Sequence, residues 1–307
     1  MEISIVILTK NAGRKFKKVL ASVFDQKIDK TVEVVIIDSG SKDKTLKIAK
    51  KFSAKRGSAS GGKIAKILEI QPHEFDFGKT KNLAITLCQG KYIVFLSQDA
   101  LPQNEWWLKN LIQPLEQKVG VAGVYSRQIP YKRTNLFQQY ALSFLYPEKE
   151  TNIILGNVFF SNVSSVIKKE VFEQIKFPEN IPMSEDQAWA KMAVNAGYKI
   201  FYAPDSVVFH SHNYSFWKNF KRNFDSGLSL KKLGLTDRRN FWQGGLKYIW
   251  GEIIFLFWKR NIFFVLYIPD LIIYEGFRVL GFWLGVHYQW LPISWRKRCS
   301  LFKKNLE

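Results

Sequence analysis

The stretch Phe95-Leu-Ser-Gln-Asp99-Ala-Leu-Pro102 has the same layout as Val34-Val-Ile-Ile-Asp38-Ser-Gly-Ser-Lys-Asp43-Lys-Thr45. In each, a short apolar run typical of a buried β-strand ends on an aspartate, and a turn or helix start follows. Ligands of open α/β sheets collect outside the carboxyl ends of the strands, so Asp38 and Asp99 are well placed to hold one. One carboxylate can accept hydrogen bonds from a nucleobase or ribose. The other can hold a divalent cation against a diphosphate, because hard cations prefer oxygen ligands.

Strand and helix signals alternate through the first hundred residues and predict a mostly parallel sheet flanked by helices, an α/β fold. Longer loops separate the elements predicted between residues 105 and 212. The predicted strands are Ile3–Leu8, Val32–Ile37, Ile64–Ile70, Tyr92–Leu96, Val121–Tyr125, Val158–Ile167 and Lys199–Phe209. The predicted helices are Arg14–Asp25, Lys44–Phe52, Lys79–Leu87 and Glu185–Ala196.

The chain of 307 residues is long enough for one large domain and an appendage. Its 46 Lys and Arg against 26 Asp and Glu give a net charge of +20, which implies anionic partners. No signature of a nucleic-acid-binding module is present, so we expect no nucleic-acid partner. Two cysteines are too few for a disulfide framework, and the short apolar run near the N-terminus does not resemble a signal peptide. We therefore expect the main domain to stay in the cytoplasm.

The composition changes at Tyr214. From there to the end of the chain lie 16 Lys and Arg against 6 Asp and Glu, and seven of the ten tryptophans. The longest uncharged run, Val279–Trp295, has 17 residues and contains a proline, so it is short for a bilayer span. We predict a domain over 1–213 and a basic, Trp-rich, amphipathic helical region over 214–307. Interfacial or re-entrant helices on an anionic membrane are favoured. A helical cap on the main domain and true spanning remain alternatives.

Two stretches are candidates for binding a nucleotide. Thr9 ends the first predicted strand and, together with Asp38, predicts one side of a nucleotide pocket. Taken alone, the loop after Asp38 is also typical of ordinary helix-entry chemistry. In the segment before the predicted helix at Lys79, Gly78 lets the backbone pass close to a ligand, and Lys79 or Lys81 can reach a phosphate. A solvated basic helix face is the alternative there.

The Gln98-Asp99 pair predicts a metal site with a single carboxylate. Gln98 offers only a weaker amide oxygen, so the site is short of ligands. His210 and His212 follow a predicted strand end and can complete it, although a histidine is often purely structural. A cation held there would act as a Lewis acid on a departing diphosphate.

The segment Ser184-Glu-Asp186-Gln187 opens a predicted amphipathic helix. Acidic residues favour the first turn of any helix, which is the structural explanation. The functional one is general base catalysis, in which a carboxylate takes the proton of an attacking hydroxyl group. We assign that role to Asp186 rather than to Glu185.

Taken together, these motifs resemble the rhamnosyltransferase branch of the inverting glycosyltransferase family 2, and the resemblance spans nearly the whole chain. The matching segments are Ile37–Thr45, His73–Gly78, Ser97–Pro102, Ser184–Asp186, Ala196–Lys199, His210–Ser215, Arg222–Gly227, Leu284–Pro292 and Trp295–Ser300. The resemblance implies a GT-A fold, with a nucleotide-binding half over about 1–102 and an acceptor half over about 103–213.

The resemblance also implies a donor, a cofactor and an acceptor. The donor would be dTDP-L-rhamnose and the cofactor Mg²⁺ or Mn²⁺. A single displacement would invert the anomeric centre. The acceptor would be a lipid-linked saccharide used in cell-surface polysaccharide synthesis, at the cytoplasmic face of the membrane. Transfer from a UDP- or GDP-hexose, even onto polyprenyl phosphate, is one alternative. An inactive membrane partner that binds nucleotide sugars is another.

Overall fold

The computed structural model describes residues 1–54, 63–149, 159–236 and 238–306, built around one mixed β-sheet flanked by helices. Within these ranges the sheet has eight strands. They are β1 Ile3–Thr9, β2 Val32–Asp38, β3 Lys63–Glu69, β4 Tyr92–Leu96, β5 Leu101–Pro102, β6 Val121–Ile129, β7 Ser164–Lys168 and β8 Lys199–Phe209.

Helices follow most strands, and a run of helices closes the chain. They are α1 Lys15–Phe24, α2 Thr45–Ala54, α3 Phe77–Thr86, α4 Trp107–Gln117, α5 Leu136–Leu145, α6 Lys169–Gln174, α7 Glu185–Asn195, α8 Phe216–Lys232, α9 Arg238–Arg260, α10 Ile268–Val286 and α11 Ile293–Cys299. Two short 3₁₀ segments, Asn261–Tyr267 and Tyr288–Trp290, connect the last of these.

The strand order is β3-β2-β1-β4-β7-β6-β8-β5. Pairing is parallel between β3, β2, β1 and β4, and again between β6 and β8. Strand β7 runs antiparallel to both of its neighbours, and β5 runs antiparallel to β8. The predicted mixed, mostly parallel sheet flanked by helices is confirmed, and the first hundred residues have the predicted βαβ rhythm.

Alternate residues of the central strands pack into two separate hydrophobic cores, because successive side chains of a strand point to opposite faces. On one face Ile5 of β1 packs with Phe16 of α1 and Trp107 of α4. On the other, Val6 packs with helices α3 and α7, where Trp189 is fully buried. Helices on both faces explain why these strands read as continuous apolar runs.

The predicted strand Val158–Ile167 is wrong in its first part. Residue 158 lies outside the described residues, 159–163 are not in a strand, and β7 begins only at Ser164. The backbone leaves the sheet because Asn162 has another partner: its N–H donates to the Asp186 carboxylate at 3.0 Å.

The C-terminal region is helical, as predicted. Helix α10 lies close against α8, and a Cβ atom on Gly285 would come within 2.1 Å of the Phe224 carbonyl oxygen. Only glycine therefore permits this approach. Among the helices that the structure describes, none is long and apolar enough to cross a membrane.

Candidate active site

A cavity of about 1050 Å³ opens at the carboxyl ends of β1 and β4. Its wall is completed by the start of α7, by α8 and by the tail that follows α11. Seven of the sequence-predicted site residues line it: Thr9, Lys81, Gln98, Asp99, Asp186, His210 and His212. Parallel strands bring residues far apart in sequence to one edge, which explains the convergence.

The predicted metal ligands meet on one side of this cavity. Nε2 of His210 lies 3.7 Å from Asp99 Oδ1, and Nε2 of His212 lies 3.6 Å from Asp99 Oδ2. The two Nε2 atoms are 3.1 Å apart, and the three candidate ligand atoms all lie within 4.8 Å of one another. The three side chains are close enough to bind one metal ion together.

A buried glutamine fixes which nitrogen of His210 faces the cluster. Gln128 Nε2 donates to Tyr146 Oη at 2.6 Å and to Ser161 Oγ at 3.1 Å, so its amide oxygen must face His210. His210 Nδ1 then donates to that oxygen at 2.9 Å, which leaves a lone pair on Nε2. Such outer partners are typical of histidines that bind metals.

Burial keeps both imidazoles in the neutral form that a metal needs. It lowers the pKa of His210 to about 4, against an opposing effect of the Asp99 charge. The pKa of His212 is lowered by the same desolvation, again opposed by Asp99. Two imidazoles and one carboxylate suit Mn²⁺ better than Mg²⁺, because Mg²⁺ strongly prefers oxygen ligands.

Gln98 lies next to this cluster, but its side-chain amide is hydrogen-bonded to the backbone of Lys10. Its Oε1 accepts from the Lys10 backbone N–H at 2.8 Å, and its Nε2 donates to the Lys10 carbonyl at 3.2 Å. This pair of bonds ties the end of β4 to the end of β1. The arrangement fixes the side chain next to Asp99, and one lone pair of the Gln98 amide oxygen is already used.

Asp186 lies in the first turn of α7 and is half-buried at the cavity wall. Its Oδ2 accepts from the Asn162 N–H at 3.0 Å and its Oδ1 from the Gln187 N–H at 2.8 Å. Ser184 precedes the helix with a left-handed φ of 69°, a conformation that is kept only where the surroundings enforce it.

The pKa of Asp186 is raised to about 6, above all by burial and then by the neighbouring Glu185 charge, with Lys81 opposing both. A carboxyl group with that pKa is ionised near neutral pH yet binds a proton readily, as a general base requires. Lys81 itself forms a buried ion pair with Glu185. The adjacent acids therefore differ in their partners: Glu185 is paired with Lys81, whereas the Asp186 carboxylate accepts from backbone N–H groups.

Asp38 and Gly78 do not reach the cavity wall. Asp38 is fully buried, and its carboxylate accepts from the hydroxyls of Thr9 at 2.7 Å and Ser41 at 2.6 Å, and from two backbone N–H groups. It therefore shapes the loop that follows β2. A Cβ atom on Gly78 would lie 1.9 Å from the Pro178 carbonyl oxygen, so this glycine permits a close packing contact. The nucleotide-binding roles of both residues stay predictions.

Two parts of the site were not assigned from sequence, and both come from the C-terminal region. Arg222 of α8 lines the cavity and donates to Tyr214 Oη at 2.7 Å. Leu301 and Phe302 of the tail also line it. Arg222 lies in a segment of the family resemblance, which was the available signal, whereas nothing in the sequence indicates that the tail folds back.

The tail is fastened at both of its ends. Asp225 Oδ2 accepts from the backbone N–H groups of Leu301 at 2.8 Å and Phe302 at 3.2 Å. Lys304 Nζ donates to three carbonyls of the loop before α3, those of Pro72 at 3.3 Å, His73 at 3.0 Å and Phe75 at 2.8 Å. The C-terminal region therefore closes part of a cavity whose floor belongs to the sheet.

The mixed sheet flanked by helices, with a cavity at the carboxyl ends of its strands, is the arrangement of a glycosyltransferase of the GT-A fold. A family model for glycosyl transferase family 2 matches residues 4–176, and the chain belongs to that family. It is 33% identical to the O-antigen chain rhamnosyltransferase RfbN of Salmonella typhimurium, over 99% of this chain and 95% of that protein. It is 30% identical to the O-antigen chain rhamnosyltransferase WbaN of Salmonella anatum, over 98% of this chain and 94% of that protein.

Solved structures share the fold at lower sequence identity. The mannosyltransferase PcManGT from Pyrobaculum calidifontis, in complex with GDP-Man and Mn²⁺, has a TM-score of 0.63 and 15% identity. The match covers 94% of this chain and 86% of that one. Residues 1–349 of S. aureus TarS in complex with UDP-GlcNAc give a TM-score of 0.54 at 17% identity, covering 94% and 92%.

Proposed function

We propose that the protein transfers L-rhamnose from dTDP-L-rhamnose to a lipid-linked saccharide during synthesis of a cell-surface polysaccharide. The observation that carries the reaction type is that Asp186 shares one cavity with Asp99, His210 and His212. The sugar and pathway rest on the two O-antigen rhamnosyltransferases that match almost the whole chain.

In the proposed reaction Asp186 accepts the proton of the acceptor hydroxyl while that oxygen forms a bond to the anomeric carbon. The bond from the anomeric carbon to the diphosphate oxygen breaks, and its electron pair leaves with the nucleoside diphosphate. Because attack and departure occur on opposite faces in one step, the configuration inverts. The N–H groups of Asn162 and Gln187 hold the carboxylate in position throughout.

Asp99, His210 and His212 would hold the divalent cation. A bound cation would neutralise charge on the diphosphate as it departs. Gln128 contributes by keeping His210 in the tautomer that offers Nε2.

The donor assignment is tested by isothermal calorimetry with dTDP-L-rhamnose, UDP-hexoses and GDP-mannose, each with Mn²⁺, with Mg²⁺ and with chelator. Tightest binding of dTDP-L-rhamnose that depends on metal supports the proposal. Preference for a UDP- or GDP-sugar would keep the chemistry and replace the donor. Binding without turnover on lipid-linked saccharides would favour the inactive partner.

We also propose that the C-terminal helices lie on an anionic membrane at its cytoplasmic face. Trp258 is 80% exposed, and Ile262 at 71%, Phe263 at 67% and Leu266 at 73% follow it closely in sequence. Further exposed tryptophans of this region are Trp250, Trp283, Trp290 and Trp295. Such a concentration of exposed aromatic side chains is unusual on a surface that faces only water.

Basic residues accompany these apolar ones. Lys259 and Arg260 end α9, and Lys297 and Arg298 lie in α11, all of them exposed. Each basic residue near an anionic leaflet contributes about 1 kcal/mol of attraction. The surface thus combines the two interactions that an interfacial helix uses. A lipid-linked acceptor would be presented at the same interface.

The membrane proposal is tested by co-sedimentation with vesicles of phosphatidylcholine, with and without phosphatidylglycerol. Replacing Trp258 and Phe263 together by serine should weaken binding at least about tenfold, since each large side chain contributes about 1.5–3 kcal/mol when buried. Trp106→Ser is the matched control, because Trp106 is 41% exposed but lies at the start of α4, outside the C-terminal region. Equal binding of the double variant and the control, or no binding of the unaltered protein, would overturn the proposal.

A further inference from the structure

Arg222 is a cation in the cavity wall without an acidic partner among the residues that the structure describes. It is half-buried on α8, where solvent only partly hydrates it. The hydrogen bond that its guanidinium makes in the described part of the chain goes to the neutral hydroxyl of Tyr214, at 2.7 Å. Guanidinium carries five N–H donors, so most remain available for a ligand.

Tyr214 places this cation next to the metal-ligand cluster. Its ring stacks on His212 with centroids 5.1 Å apart and planes inclined by 21°. The Arg222 guanidinium lies 5.3 Å from the same ring. The order Asp99, His212, Tyr214, Arg222 is therefore continuous, and the arginine is held by a contact that leads directly to the candidate cation site.

Among the described cations that line the cavity, the one that is buried is already paired with an acid. Lys81 is paired with Glu185, so little of its charge remains for an anionic ligand. Arg222 has no such partner, and a partly buried charge is costly unless an opposite charge joins it. The cavity thus offers an uncompensated positive charge beside a site suited to a second one.

We propose that Arg222, held by Tyr214, binds the diphosphate of the nucleotide donor next to the cation site. This inference rests on the proposed glycosyl transfer from a nucleotide sugar. Guanidinium forms paired hydrogen bonds to phosphate oxygens, which a lysine cannot reproduce. When the sugar–oxygen bond breaks, the electron pair moves onto the diphosphate, and a fixed cation there stabilises the departing group.

The experiment measures binding of dTDP, UDP and GDP by calorimetry in the presence of Mn²⁺, and binding of Mn²⁺ alone by electron paramagnetic resonance. We expect Arg222→Gln to weaken binding of one nucleoside diphosphate, the one that the unaltered enzyme binds best. The expected loss of affinity is about 10–100-fold. Arg222→Lys should recover part of that loss. Binding of Mn²⁺ alone should be unchanged in both. Lys221→Gln is the control, since it removes one positive charge from the same helix at a residue that does not line the cavity.

Three results would overturn the inference. One is unchanged nucleotide affinity in Arg222→Gln. Another is an equal loss in Lys221→Gln, which would indicate a general charge effect. The third is a parallel loss of Mn²⁺ binding, which would make Arg222 a support of His212 rather than a phosphate ligand. A preference for UDP or GDP would overturn the donor but still report on Arg222. If the unaltered enzyme binds none of the three, both proposals fail.

Discussion

In β2 every residue from Val32 to Asp38 is buried, whereas in the C-terminal helices Trp258 is 80% exposed and Leu266 is 73% exposed. Both regions are rich in apolar residues, but only the sheet is covered on both faces. Apolar content alone therefore does not distinguish a core from an exposed surface. What differs is whether another element of the chain covers the side chains.

The two regions are nevertheless joined at the cavity. Asp225 of α8 anchors the tail, and Lys304 of the tail holds the loop before α3. Removing residues 246–307 would be expected to release the protein from membranes, yet it would also delete the cavity wall at Phe302. Point substitutions separate membrane binding from catalysis more cleanly than truncation does.

The largest effect is expected from Asp186→Asn. The amide cannot accept the acceptor proton, so turnover should fall about 10²–10⁴-fold while nucleotide and vesicle binding stay near those of the unaltered enzyme. Radiolabelled sugar transfer and calorimetry measure the two. Asp205→Asn, at an exposed position of β8, is the control. Normal turnover in Asp186→Asn would refute the assigned base.

Gly285→Ala tests the packing of α10 against α8, the helix that contains Arg222. The added methyl group would meet the Phe224 carbonyl at 2.1 Å, and such overpacking costs about 1–3 kcal/mol. Thermal unfolding followed by circular dichroism should show a lower midpoint. In the same helix Gly276→Ala meets nothing within 4 Å and should stabilise by about 0.5–1 kcal/mol. Similar midpoints for the two variants would contradict the close approach of α8 and α10.

Gln128→Leu tests the metal cluster without touching a ligand. It removes the acceptor for His210 Nδ1 and so frees the ring and its tautomer. Mn²⁺ affinity should fall about 10–100-fold, as is usual when an outer partner of a metal ligand is lost. Gln117→Leu, at an exposed position of α4, should bind Mn²⁺ normally. Unchanged affinity in Gln128→Leu would mean that these histidines do not bind the ion.

The pH dependence follows from Asp186. Because its pKa is raised to about 6 and the ionised form is the base, kcat/KM should fall about tenfold per unit as pH drops below 6. It should level off above pH 7. Measuring Mn²⁺ binding over pH 5–7 is the control for the ligands, since the pKa of His210 is lowered to about 4. A flat profile across pH 6 would remove support for this base.

The smallest effect is expected from Lys304→Met, which tests the join between the two regions. Losing three hydrogen bonds to the loop before α3 should raise the donor KM about threefold to tenfold and leave vesicle binding unchanged. The neighbouring exposed Lys303→Met is the matched control. If both variants behave alike, the tail does not position the loop before α3.

Much of this molecule could be predicted from the order of its residues. The β1 and β4 runs are apolar and short, so their existence, type and bounds are predictable to within a residue or two. The start of strand β7 is harder to predict. The stretch before Ser164 is apolar and aromatic, but it turns away from the sheet to meet α7. Local composition does not report such a long-range partner.

The candidate site likewise has features that local sequence predicts and others that depend on long-range partners. Asp99, His210 and His212 were predicted because strand ends meet at one edge of a parallel sheet, and the structure brings them together. Gln98 and Lys81 were predicted by residue type, yet each has a partner within the chain that sequence does not indicate. Their nucleotide-binding roles stay predictions.

The order of the residues alone predicts the class of fold, the edge of the sheet where the candidate site lies, and the side chains available there. These follow from local periodicity and from the polarity of strands. Packing in three dimensions sets which charges remain unpaired, because Glu185 pairs with Lys81 while no described acid pairs with Arg222. It also decided that the tail closes the cavity, since contacts across more than 200 residues depend on packing rather than on any local pattern.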